Sequence, residues 1–532
     1  MWVMVMRCVF KHHVYLCVVS TALMAGLSLI TSHTSKAYAK DQNCGSSGGG
    51  VVKTIQHNDQ PIVCSSGETR ILSSTRGGKE ININMDTGPG EAAGAAVTVK
   101  DGANITILKK ITVTGSGGKG SDQKPVIKVL NKGQLTLDED VDVGGATGMQ
   151  KAIVVDGSES SVTLKGKLTG FERVQVKNGG AVTLLKDGVK GIEGMKVKIN
   201  DGGMVNMMGD VAFNSVGGAG IQITGDGAGK ATVMGVGRTM TVNGSGSGIQ
   251  MEGSGNADVM RLKIKGSGGT GVRVQNETGT MTLMGVEIEG FKMGVNAQSG
   301  TVKINGESTI TVKDGGTGIS MSGSGATVKM MEGKIMGSGG NFGVQMMGGT
   351  GTVELTSVGI EGVKKGVDMQ AGTLDMIKGS INFTGGRGNY GVQVMGTGTA
   401  NLTKVTITGE GSGKGEGKGV IMGSTGEMTM TNVNISKVKV GVDVTGGTLK
   451  MMGGTVTFTG GSGNYGVHVQ NGVKMANLTD VTITGKGGQG TGVYVEGTGS
   501  ASMMGGKISN VESGVYATGM GNFENGWDDD YV

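Results

Sequence analysis

From about residue 96 to residue 518, apolar and polar residues alternate in short runs of three to five, each ended by Gly, Asn, Asp or Ser. Alternation with a period of two puts every second side chain on one face of a strand, and the interrupting residues are those that turn a chain. Gly372-Thr373-Leu374-Asp375-Met376 followed by Ser380-Ile381-Asn382-Phe383 shows the pattern. No stretch of helical period competes with it after residue 39.

The runs are themselves periodic. A block Gly-(Val/Ile)-x-(Val/Met/Ile) begins at Gly220, Gly248, Gly271, Gly294, Gly318, Gly343, Gly366, Gly391, Gly419, Gly441, Gly466, Gly492 and Gly514, the copies at Gly294 and Gly514 relaxing the last position to Ala297 and Ala517. Successive blocks are 22 to 28 residues apart, with a mean of about 24.5. Weaker copies at Ala96, Val126, Ala152, Arg173 and Gly194 bring the count to 18. Two further strands follow each block, so one repeat is a three-strand coil. The sequence therefore predicts an all-β chain folded as a right-handed parallel β-helix of about 18 coils of 24–25 residues. At the spacing of paired strands such a stack is about 85 Å long. A left-handed hexapeptide helix would need stricter multiples of six, and a β-propeller needs longer, aromatic-marked repeats. The segment from Gly366 to Thr408 matches that from Gly441 to Thr484, which points to a three-coil duplication.

Composition changes the picture at the two ends. Residues 1–39 contain Arg7, Lys11 and Lys36 but no acidic residue, an apolar run from Val14 to Ile30, and the small-x-small triplet Ala37-Tyr38-Ala39. These are the marks of a secretory signal cleaved before Lys40. The run approaches the length of a membrane anchor, but Ser20, Thr21, Gly26 and the Ala-x-Ala site favour cleavage. The expected organisation is signal 1–39, N-terminal cap 40–95, β-helix 96–518 and acidic tail 519–532, in a secreted or cell-surface protein whose body does not span the membrane.

Only Cys44 and Cys64 remain after the signal, and in an exported chain they are expected to form a disulfide that staples the cap. A metal pair there would lack ligands beyond His57. The formal charge of +5 falls to about +2 once the signal is removed, and aromatic residues are 3% of the chain, so neither a basic patch nor base-stacking platforms support nucleic-acid binding.

The coil repeat also aligns the outward residues into one column: Gln222, Gln250, Arg273, Asn296, Ser320, Gln345, Asp368, Gln393, Ile421, Asp443, His468, Tyr494 and Tyr516. β-Helices include polysaccharide lyases and hydrolases, and a catalytic pair would show in this column. Asp368 and Asp443 are three coils apart, about 14 Å, beyond the separation of paired glycosidase carboxylates. Asp443 and His468 fall on adjacent coils and resemble a base with its orienting acid, but no nucleophile follows; a surface ion pair is the plainer reading. Nucleophile-elbow, zinc-protease and P-loop motifs are missing. No cofactor or metal is expected. The 31 methionines after the signal include doublets such as Met330-Met331 and Met503-Met504, of which alternation sends one residue outward, as gap-fillers and adaptable contacts rather than metal ligands. His468, Tyr494 and Tyr516, joined by Tyr465, put rings on consecutive coils and form the candidate binding ridge.

The signal with its extended N-terminal stretch, the start Lys40 to Gly45, and the Gly/Met/Val/Thr-rich coils resemble the passenger domains of Bartonella inducible autotransporters, over essentially the whole chain. The resemblance implies surface display, adhesion to host cells and, for the Bartonella angiogenic factor subgroup, a released passenger that stimulates endothelial receptors. A host-cell surface protein or glycan would then be the partner of a monomeric rod. The chain departs from that family in ending its coils near Thr518 with no membrane barrel following. It also lacks the Gly-Asp-Ser-Gly-type serine of protease passengers and any Arg-Gly-Asp triplet. The expected function is non-enzymatic binding, with a β-helical polysaccharide lyase or hydrolase as the alternative.

Overall fold

A computed structural model describes residues 43–45, 50–74, 78–86, 94–116, 124–185, 192–193, 195–214, 217–225, 229–410 and 416–526. The segment read as a secretory signal and the last residues of the acidic tail lie outside the described residues. The described chain is all-β, without a helix, and its named strand pairings are parallel.

The repeat block sets the register. From Val97 to Val515, the second residue of each block pairs with its counterpart in the next, without a skipped coil, except that in the copy assigned to Gly194 the paired residue is Val197, so that block begins two residues later than the sequence reading placed it. Each coil contributes to three stacked faces, as in Tyr390–Gly396, Thr399–Thr403 and Thr406–Glu410. The molecule is thus a parallel β-helix. Alternate residues point inward, and Ile381, Phe383, Val392, Val394, Leu402 and Ile407 are fully buried. One continuous apolar core runs from Cys44 to Met503, because no single coil could shield its own apolar face.

The methionine doublets obey the alternation. Met330, Met346, Met451 and Met503 are in the core, whereas Met331, Met347, Met452 and Met504 are exposed. Between coils the charges pair along the stack, as in Lys329 with Glu354 (2.8 Å) and Lys450 with Glu427 (2.9 Å). These pairs are solvated and individually contribute little.

The β-helix begins earlier than residue 96. Ile62–Cys64, Thr69–Ser73 and Glu80–Asn84 pair in parallel with Val97–Val99, Asn104–Ile107 and Lys110–Thr114. The segment assigned to a separate cap therefore contains a complete coil. Its block, Pro61-Ile62-Val63-Cys64, ends on Cys64 where the other copies have Val, Met, Ile or Ala. Cys44 and Cys64 are disulfide-bonded with Cα atoms 5.3 Å apart, both buried at the start of the core.

Candidate functional site

The glycine of each block determines the shape of the first face. A Cβ on Gly466 would lie 2.3 Å from Cγ2 of Ile483 on the third face and 2.6 Å from the carbonyl oxygen of Gly492 on the next coil. Gly391 meets the same obstacle in Ile407 and Gly419. Only glycine lets the backbone approach the core this closely, and the residues on either side of the indentation are left facing outward. Tyr465 and His468, three positions apart, consequently meet over Gly466 with ring centroids 4.8 Å apart.

The predicted outward column is continuous, with residues from Gln222 to Tyr516 directly paired coil by coil. Its last members gather into the ridge. Tyr465 stacks on Tyr494 at 4.9 Å, His468 tilts against Tyr494 at 5.3 Å, and Tyr494 stacks on Tyr516 at 5.6 Å and 4° from parallel. Stacking along the axis covers the ring faces of neighbouring coils. Tyr516 is 52% exposed. The Tyr494 hydroxyl is held above its usual pKa by burial first, then by the Glu496 carboxylate and the neighbouring tyrosines.

Asp443 differs from the surface ion pair expected of it: the residue is 1% exposed. Lys418 Nζ donates to Oδ2, Gln470 Nε2 donates to Oδ1 at 2.8 Å, and His468 Nδ1 lies 3.2 Å from Oδ1. Burial alone would raise the carboxyl pKa, but the bonds from His468, Lys418 and Gln470 and the lysine charge outweigh it and lower the pKa to about 2. The other nitrogen of His468 is 3.3 Å from Glu496 Oε1, so the ring sits between two carboxylates. With both oxygens engaged, Asp443 is an anchor for the ridge rather than a free base.

The duplicated coils repeat the arrangement upstream. Asp368, matching Asp443, is buried and bonds the Tyr390 hydroxyl, whose pKa is pushed above its normal range by burial first and then by that carboxylate. Lys365 Nζ lies 4.8 Å from the centre of the Phe342 ring and 5.4 Å from that of Tyr390. Sequence reasoning followed the column after the glycine, took only Tyr465 from before it, and missed Lys418, Phe342, Lys365 and Tyr390. The residue just before each block glycine was the signal that would have found all four. Among the described residues no group of three or more His, Cys, Asp or Glu side chains could hold a metal ion.

No family model, curated protein or solved structure matches the chain.

Proposed function

We propose that the chain is a non-enzymatic binding protein, an exported passenger of autotransporter type, whose ridge at Tyr465, His468, Tyr494 and Tyr516 contacts a protein or glycan on a host-cell surface. The observation that carries this reading is the juxtaposition of an outward aromatic stack and a carboxylate spent on supporting it. Tyrosine contributes apolar area and a hydroxyl at low entropic cost, and rings fixed by stacking lose little freedom on binding. The disulfide fits an oxidising compartment, and the resemblance to the Bartonella passengers supplies surface display and the host cell.

The test of the reading as a whole is where the protein goes and what it touches. Antibody staining and protease shaving of intact producing cells should find the β-helix outside, or the culture medium should contain it, and purified protein should bind host cells saturably. Retention in the cytoplasm, or the absence of saturable binding, would contradict the proposal.

A further inference from the structure

A second site lies on the same face, upstream of the ridge. Arg273 and Asn296 are directly paired residues of adjacent coils, each outward of its block glycine. Arg273 Nε and Asn296 Oδ1 are both buried, and neither has a hydrogen-bond partner among the described residues. A buried donor and a buried acceptor left open are each destabilising, so a matched pair of them is a standing demand for a ligand. Asn296 is 5% exposed, and the next outward residue, Ser320, is equally buried. Glu252, on the coil before Arg273, is already engaged, accepting from Gln222 and Gln250.

We propose that Arg273 and Asn296 form a binding subsite for an acidic saccharide, with the guanidinium taking a carboxylate or sulfate and the amide oxygen accepting from a neighbouring hydroxyl. A neutral sugar would leave the guanidinium charge unmatched, and a bare anion would leave the amide oxygen without a donor. An extended ligand fits better than a compact one. Lys365, four coils further on and about 19 Å away at the spacing of paired strands, also has no carboxylate partner among the described residues and is held between two rings. The paired positions between the two cations, Asn296, Thr317, Ser320, Phe342 and Gln345, are uncharged. This assignment is independent of the tyrosine ridge.

The experiment is a polarisation titration of the purified full chain with fluorescent heparin oligosaccharide, hyaluronan oligosaccharide and chitohexaose. At least one acidic probe should bind, with affinity falling as salt is added, and chitohexaose should not. Heparin alone would identify sulfate as the anion and hyaluronan the carboxylate. Arg273→Gln should weaken binding about tenfold or more, and Asn296→Asp, which gives the guanidinium an internal partner, should do the same. If Arg273→Gln lowers the melting temperature, Arg273→Lys keeps the charge without the planar fork and should still lose most of the affinity. Failure of both acidic probes to bind would overturn the proposal. So would binding that survives both substitutions, or that falls equally with Lys303→Gln on the second face.

Discussion

His468 and Asp443 are paired residues of adjacent coils, and the imidazole Nδ1 lies 3.2 Å from a carboxylate that is closed to solvent. This relationship gives the ridge an acid-sensitive support. The Asp443 pKa is depressed to about 2 from an unfolded value near 3.8. A depressed carboxyl contributes stability that is fully present above the unfolded pKa and lost as pH falls through the folded one. The contribution is about 2 kcal/mol. Asp443→Asn should therefore lower the melting temperature at pH 7, and the gap to the parent should close between roughly pH 4 and pH 2. A gap that is constant across that window would mean the carboxylate is not ionised in the folded chain.

The block glycines are predicted to be intolerant of even one methyl group. Gly466→Ala would force its Cβ against Ile483 and the backbone of Gly492. Overpacking of this kind costs about 1–3 kcal/mol, and more where backbone must move. Gly348 and Gly388 have open space around the Cβ position, and Gly348 lacks the positive φ of Gly388. Gly348→Ala is thus the control and should melt with the parent. Equal melting of the two variants would contradict the close approach of the first and third faces.

The disulfide should be intramolecular and should protect the first coil. Peptide mapping without reductant should recover the Cys44 and Cys64 peptides linked, and two alkylatable thiols in secreted material would refute the bond. Closing a loop of this size stabilises by about 3 kcal/mol in the chain-entropy account. Because coils contact mainly their neighbours, reduction should raise hydrogen exchange around Ile62–Cys64 while leaving the coils beyond residue 300 unchanged.

Purified protein should not depolymerise uronate polymers or other glycans, even those it binds. The place where turnover would arise is Asp443 with His468, and there both carboxylate oxygens are already engaged. Turnover that disappears in Asp443→Ala would move the protein to the polysaccharide-degrading class.

The fold was readable because one inward Val or Ile after each glycine recurs at a nearly constant interval, and parallel stacking converts that interval directly into register. The ridge was readable for the same reason: His468, Tyr494 and Tyr516 occupy one position of the repeat. The burial of Asp443 was not readable, since it depends on Lys418 and Gln470, which belong to other positions and other coils. Nor was the early coil, where Ile62 takes the inward position but Cys64 replaces the Val, Met, Ile or Ala that ends the other blocks.

The most direct measurement is equilibrium binding of the purified chain to host cells, compared with the double substitution Tyr494→Ala, Tyr516→Ala. The ridge as a contact surface predicts a loss of affinity of about tenfold or more, with the β-type far-ultraviolet spectrum retained and the melting temperature nearly unchanged. A fall in melting temperature of several degrees with binding intact would show that the tyrosines only hold the last coils together, and would contradict the account.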